Sequence, residues 1–463
     1  MSWVSSAMNR PGILLSSLLL SFTALGPMAH AQPPPASTTD GPPDPRRGER
    51  LDGRPAPTDP RSGLRTVGRV VLEVPRLLIE SLFWPVVRVA AFVESHDLVP
   101  RTYWALTSED RLVGVRPEAR YETGFLTSFG ARFFDRRTLG RGSLIQLRAH
   151  SAGRGYALAE LRLRPSHGSV FVLEQRVLYE RSTDKLFAGT HGEARAELLD
   201  AGRGLAYYGR DRALSDVNLH WQIARPLLIA LGGDVDLRTY RSTGSLDTLY
   251  CAAPGTPSCS SVDESLVTGF DQGLRLLRGH AGLLVDSRQG RRRRGGVRFA
   301  LDGALAHGVI GDPSAHVRMV ADAQLVVDLS DRALIVRVNA GLVRPLGDAP
   351  VPFEELMSPS GTDGMRGLSS GRLRGHSQLF SSLEYRWLLS PYLDAALFVD
   401  QGGAFDRGFG GLSLDRMIPS YGFGLRIHEI RGDYWNAAPL VRLQVAHAPG
   451  EGTRLMVSLG AGD

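Results

Sequence analysis

The chain has 463 residues, of which 43% are hydrophobic and 22% are charged, and it contains 53 glycines. Its formal net charge of +6 rests almost wholly on arginine, because Lys185 is the only lysine. The arginines are spread along the chain, so nucleic acid is not a predicted partner. No apolar run reaches the roughly 20 residues that a membrane-spanning helix needs, which excludes a helical membrane protein.

Residues 1–31 predict a secretory signal peptide. Arg10 supplies the positive charge, Gly12 to Leu25 is a short apolar stretch, and Ala29-His30-Ala31 forms a small-residue cleavage site. The apolar stretch is too short to span a membrane as a helix. We therefore expect cleavage after this site and export of the chain.

Residues 32–63 predict a disordered linker, since they are rich in Pro, Asp, Arg and Gly and show no apolar pattern. Residues 64–95 predict an amphipathic helix that Pro85 divides into two pieces. Its apolar positions recur at three- and four-residue spacing and are Val67, Val70, Val71, Val74, Leu77, Leu78, Leu82, Val86, Val89 and Ala90. Two placements stay open: the helix lies in the interface of the periplasmic leaflet, or it packs on the rim of the domain that follows or plugs it.

From about Glu118 onward the apolar period changes to two, which predicts β-strands. One segment places Val317, Met319, Ala321, Ala323, Leu325 and Val327 on one face and Arg318, Asp322, Gln324 and Asp328 on the other. A soluble sandwich and a membrane barrel both produce this alternation. The strands are long, around ten residues, one face carries many Arg, Asp and Glu, and the signal peptide permits export. These features favour an all-β fold, a transmembrane antiparallel β-barrel over residues 117–463.

About sixteen such segments can be counted, an even number as expected for a barrel whose two termini face the periplasm. They begin near Tyr121, Leu144, Tyr156, Val170, Ala194, Val217, Leu228, Gly273, Val297, His316, Arg332, Gln378, Tyr392, Ser420, Leu440 and Thr453. Two linking loops are long. One carries Cys251 and Cys259, which we predict to form a disulfide in an oxidising compartment.

Signatures of chemistry are sparse. No HExxH, P-loop or paired CxxC motif is present, and the histidines are scattered among strands and turns. The two cysteines have no further metal ligands close in sequence. Neither enzymatic activity, nor a cofactor, nor a metal is predicted.

The second long loop reads GTDGMRGLSSGRLRG, and the next two strands read SSLEYRWLLSPYLDAALFVDQGGAF. Here the chain resembles the bacterial surface antigen family of the BamA/TpsB superfamily, outer-membrane barrels that insert or export proteins. The resemblance covers about Pro117 to Gly460 and includes the closing hairpin APLVRLQVAHAPGEGTRLMVSLG. Eleven predicted strands precede the loop, which agrees with the family order.

The resemblance implies a salt bridge between this loop and the barrel wall. In the family the sixth extracellular loop folds back into the barrel, and its Arg meets acids on the twelfth and thirteenth strands. The matching residues are Arg366 in the loop, Glu384 and Asp400. By alternation both acids point inward, and Gly367 lets the loop turn tightly. The planar guanidinium can bridge two carboxylates.

The sequence departs from the family in three ways. No POTRA domains are expected before the barrel, the closing strand lacks a terminal aromatic residue, and Met365 and Leu368 replace the usual β-branched and aromatic neighbours of the Arg-Gly pair. The resemblance implies location in a bacterial outer membrane with lipid as a partner. It implies assistance of protein or lipid insertion, or export, with unfolded outer-membrane clients or a periplasmic partner at residues 64–95. The alternative is a passive channel or structural barrel.

Overall fold

A computed structural model describes residues 88, 96, 105–110, 112–140, 143–167, 170–188, 206–224, 226–242, 267–288, 295–329, 332–390, 393–428 and 439–460. The predicted signal peptide, the linker, nearly all of the predicted helix, both cysteines and the predicted strand near Ala194 lie outside these residues. No helix among the described residues is long and apolar enough to cross a membrane.

The described residues form one closed antiparallel β-barrel of sixteen strands. The strands are β1 Val113–Glu122, β2 Ser128–Asp135, β3 Leu144–Ser151, β4 Tyr156–Arg164 (continued past Pro165 by Ser166–His167), β5 Phe171–Phe187, β6 Ala206–Ala224, β7 Leu227–Ser242, β8 Leu274–Asp286, β9 Gly296–Gly308, β10 Ala315–Asp328, β11 Arg332–Pro345, β12 Ser377–Ser390, β13 Leu393–Phe405, β14 Ile418–Ile427, β15 Val441–Ala448 and β16 Gly452–Leu459. Each strand pairs with its neighbours in chain order, and β1 pairs with β16. Short 3-10 turns lie at Phe353–Glu355, Arg407–Phe409 and Leu414–Arg416.

The predicted fold class and strand number are confirmed, although the set of strands differs at three places. The first strand starts at Val113 rather than near Tyr121, β2 was not predicted, and β6 starts at Ala206 rather than near Val217. Eleven strands precede the long loop at residues 346–376, as expected.

Alternation along the strands sorts the side chains between two environments. On the outer face, Phe129 is 65% exposed and Leu231 is 53% exposed. On the inner face charged residues pair between strands: Glu118 of β1 accepts a hydrogen bond from Arg148 of β3 at 2.6 Å and forms an ion pair with Arg132 of β2 at 2.6 Å. A sheet with apolar side chains outside and paired charges inside is the arrangement that suits a barrel in lipid.

The junction between β1 and β16 is short. Only Ala119–Glu122 of β1 pairs with β16, opposite Met456–Leu459, whereas β10 and β11 pair from His316 to Asp328. Near the end of β16, Gly460 has a φ of +73°, and a Cβ there would lie 2.5 Å from the carbonyl oxygen of Pro117. Closure of the barrel at this seam therefore depends on a few residues.

Candidate functional site

The centre of the candidate site is Arg366, at the point where the 346–376 loop folds into the barrel. Its guanidinium donates to both carboxylate oxygens of Asp400, from Nε at 2.9 Å and from Nη2 at 2.6 Å. Nη1 donates to Glu384 at 2.6 Å, and Nη2 also donates to the Ser382 hydroxyl at 2.9 Å. The structure thus brings Arg366, Glu384 and Asp400 together.

The strands position these acids by register. β12 and β13 pair so that Ser382 faces Asp400 and Glu384 faces Phe398. The Arg366 guanidinium lies 3.4 Å from the centre of the Phe398 ring, a cation–π contact. The backbone N–H of Arg366 also donates to Asp400 at 3.1 Å, so the loop backbone is fixed together with the side chain.

Gly367 fits a close approach between the loop and the barrel wall. A Cβ at this position would lie 2.5 Å from the Cβ of Ser420 on β14 and 3.0 Å from that of Ala448 on β15. Any larger residue would push the loop away from the wall. On either side of the Arg-Gly pair, Met365 and Leu368 are fully buried. They pack with Phe380 and Ala448, so these two departures from the family pattern fill an apolar contact.

Arg366 is only 6% exposed, and Asp400 is fully buried. Burial alone disfavours the charged guanidinium, but Glu384 and Asp400 outweigh it and raise the pKa of Arg366. An exposed ion pair contributes about 0–1 kcal/mol, whereas removing one partner of a dry buried pair costs about 3–5 kcal/mol. In a wet lumen the second figure is an upper bound. The site is a structural clamp on the loop.

The structure reveals a second anchor of the same loop, which sequence reasoning missed. Glu354 accepts hydrogen bonds from Tyr208 at 2.6 Å, Tyr240 at 3.0 Å, Arg210 at 3.1 Å and Arg238 at 3.1 Å. Burial favours the neutral acid, but the guanidiniums of Arg210 and Arg238 lower the pKa of Glu354 to about 2. Its carboxylate is therefore held charged on the inner wall formed by β6 and β7.

The neighbouring Glu355 extends this anchor along the wall. It forms ion pairs with Arg238 at 2.8 Å and Arg278 at 3.4 Å, and the His316 Nε2 lies 3.2 Å from its carboxylate. Phe353 precedes the two acids and packs edge-on against Tyr208, with ring centres 5.3 Å apart. The only sequence signal was the acid pair behind a proline in a long loop. Its partners on β6, β7, β8 and β10 are too distant in sequence to be paired by pattern.

The arginines that echo the Arg-Gly motif reach other parts of the barrel. Arg372 forms a bidentate pair with Glu451 in the β15–β16 turn, at 2.6 and 2.7 Å. Arg374 donates to the Tyr208 hydroxyl at 3.2 Å and to the Phe353 carbonyl at 3.2 Å. The loop is thus held at three places around the inner wall.

A buried ion pair also crosses the seam. Arg454 of β16 donates to Glu122 of β1 at 2.5 Å, and their side chains are 5% and 2% exposed. Next to it, the backbone N–H of Thr123 donates to the Leu455 carbonyl at 3.0 Å. This pair adds to the short ladder that closes the barrel.

Two further features bear on chemistry. Gly367 to Gly371 spells Gly-Leu-Ser-Ser-Gly, which matches the letters of a nucleophile-elbow GxSxG. A nucleophile elbow requires a strand-to-helix turn, and these residues form turns within the loop.

Among the described residues, Asp216, Asp234 and His280 could offer atoms to one metal ion. Arg278 already donates to Asp234 at 2.9 Å. The expectations of no enzyme and no metal remain predictions.

No family model and no curated protein matches the sequence. Among solved structures, the chain is similar to BamA from Haemophilus ducreyi lacking POTRA domains 1–3, at 15% identity and a TM-score of 0.51 over 75% of this chain and 70% of that chain. Weaker similarities are to CdiB from Acinetobacter baumannii (13% identity, TM-score 0.45, 76% and 64% covered) and CdiB from Escherichia coli (11%, 0.47, 74% and 62%). The BamA match shows a shared barrel fold.

Proposed function

We propose that the protein is an outer-membrane barrel of the BamA/TpsB superfamily that assists insertion of proteins or lipids into that membrane, or export across it. The observation that carries this proposal is a contrast within one barrel. The 346–376 loop is clamped inside by Arg366 and Glu354, whereas β1 and β16 pair only from Ala119 to Glu122. Such a barrel is firm along most of its wall and weakest at one seam.

The cost of opening the seam supports this role. Separation of the four residue pairs at the seam breaks fewer backbone hydrogen bonds than separation of the thirteen pairs between β10 and β11 would. Pro117 of β1 has no N–H to donate, and Gly460 weakens the end of β16. A client strand could pair with the β1 edge as the seam parts, because an exposed edge offers unpaired N–H and C=O groups.

The outer face supports membrane lipid as a partner. Side chains that point away from the lumen include Leu305 at 56% exposure and Val399 at 53%. Apolar surface of this extent is stable in lipid and unfavourable in water. The proposed location is therefore the outer membrane, and the proposed action involves no enzymatic step.

The passive-channel alternative fits the geometry less well. The loop contacts both the wall at β12 and β13, through Arg366, and the wall at β6 and β7, through Glu354. A loop fixed across the lumen obstructs steady flow of solutes.

The test is catalysed folding of a small model barrel protein in liposomes that contain the purified chain. Wild type should fold the client faster than empty liposomes do. A disulfide between Tyr121→Cys and Val457→Cys, register partners across the seam, should abolish the gain. The matched control is a disulfide between Leu383→Cys and Val399→Cys, register partners of β12 and β13, which should retain it. Both variants carry Cys251→Ser and Cys259→Ser.

Client folding no faster than in empty liposomes would remove the support for an insertase. Full activity of the variant with the disulfide across the seam would show that opening of the seam is not needed for client folding.

A further inference from the structure

One patch on the outer face of the barrel is not exposed. Tyr385 and Trp387 of β12, Leu393 and Ala395 of β13 and Leu425 of β14 pack together and are 6%, 1%, 4%, 1% and 9% exposed. By alternation they share the outward side of their strands. We name these five residues the rim patch.

The same strands show what an uncovered outward side chain looks like. Leu383, Val399 and Tyr421 lie on the same side of β12, β13 and β14, further from the strand ends, and they are 48%, 53% and 52% exposed. Neighbouring strands alone therefore leave an outward side chain about half accessible. Burial of Trp387 to 1% requires a cover from outside the sheet.

The rim patch lies at the end of the barrel from which the chain enters. β13 begins at Leu393, in the patch, and all odd-numbered strands begin at the same end of an antiparallel barrel, including β1 at Val113. β13 is four strand steps from β1 by way of the seam, about 19 Å at ~4.8 Å per step. Residues 94–104 can span about 35 Å when extended. The segment that precedes them can therefore reach the patch.

We infer that residues 64–93 dock as an amphipathic helix, divided at Pro85, on the rim patch, on the outer wall of the barrel rather than in its lumen. The piece before Pro85 carries a series of apolar positions, among them Leu77 and Leu78, that would cover Trp387 and Ala395. Within this segment the structure describes Arg88, which is helical and exposed, as expected for the polar face.

Charge complementarity favours this occupant over lipid tails. Arg332 of β11 shares the outward side of the wall with Leu334 and is only 2% exposed. Hydrocarbon offers no group that suits a guanidinium buried beside apolar side chains. The segment offers Glu73 and Glu80 between its apolar positions.

Photo-crosslinking in the full chain tests the inference. A photoreactive residue in place of Leu397, beside the patch, should form intramolecular adducts that map to residues 64–93. The same residue in place of Leu231, exposed on the far wall of the barrel, should give none. Adducts from position 397 to lipid, to a second copy of the chain or to another segment would each overturn the inference.

Tryptophan fluorescence in vesicles of brominated phosphatidylcholine gives an independent measurement. One variant retains Trp387 alone and a control retains Trp221 alone, which is 41% exposed on the outer face. Bromine should quench Trp221 strongly and Trp387 weakly, and Leu77→Asn with Leu78→Asn should raise Trp387 quenching to the Trp221 level. Strong quenching of Trp387 in the chain with both leucines intact would show lipid at the patch and overturn the inference. Neither measurement depends on insertase activity, so failure here is distinct from failure of the proposed function.

Discussion

At residue 366, lysine should not replace arginine. The guanidinium serves both oxygens of Asp400, one of Glu384 and the hydroxyl of Ser382 at the same time, and a lysine ammonium has neither the fork geometry nor enough donors. We expect Arg366→Lys to lower the thermal unfolding temperature in detergent, and Arg366→Ala to lower it further, by a free energy approaching about 3–5 kcal/mol.

The control for this prediction is Arg137→Ala. Arg137 pairs with Asp110 on the surface, and their side chains are 59% and 42% exposed. Its removal should cost less than about 1 kcal/mol. Equal shifts for Arg137→Ala and Arg366→Ala would contradict the clamp.

Glu354 gives the second prediction at the residue scale, a dependence on pH. Its pKa in the folded protein is about 2, below the ordinary value of 4.5. A lowered pKa means that the stabilisation is complete above about 4.5 and is lost as pH falls toward 2. Wild type should therefore unfold at a higher temperature than Glu354→Gln at neutral pH, and the difference should shrink over this window. Melting curves of both proteins at several pH values measure it. A difference that does not change with pH would contradict this prediction, because it would mean that Glu354 stabilises the protein through packing rather than through its negative charge.

At the scale of elements, the period-two pattern predicted most strands because each needs only its own sequence to separate a lipid side from a lumen side. β2 was not predicted, because its inward side carries a single charge, Arg132, which is satisfied by Glu118 of β1 rather than by a local pattern. The Arg366 clamp was predictable because a motif specifies it. The Glu354 anchor was not, since Tyr208 lies 146 residues away in sequence and no motif joins the two.

The seam gives the prediction for an element. Glu122→Gln removes the charge that pairs with Arg454 across β1 and β16, so the short ladder should open more often. Hydrogen–deuterium exchange should rise in Gly452–Leu459 and stay unchanged in Ala315–Asp328. Glu160→Gln is the matched control, because Glu160 accepts from Arg176 at 2.8 Å within a continuous part of the sheet. Unchanged exchange in β16 of the Glu122→Gln protein would show that the ion pair does not hold the seam.

At the scale of the whole molecule, the loop at residues 346–376 ties opposite parts of the inner wall together. Arg366 holds it to β12 and β13, while Glu354 and Glu355 hold it to β6, β7, β8 and β10. Because both anchors restrain one segment, loss of either leaves the loop restrained by the other. Their effects on the lumen should therefore be non-additive.

Planar-bilayer conductance measures this coupling. Wild type should be closed, Arg366→Ala alone and Glu354→Gln with Glu355→Gln should each show rare brief openings, and the combined triple variant should open far more often and for longer, because the loop then loses both anchors and relies on contacts such as those of Arg372 and Arg374. Arg137→Ala should behave as wild type, since its surface pair touches neither anchor. A steady pore in wild type would favour the passive channel over the proposed role in insertion or export. A closed triple variant would mean that other contacts, such as the bidentate pair of Arg372 with Glu451, are sufficient to keep the loop inside.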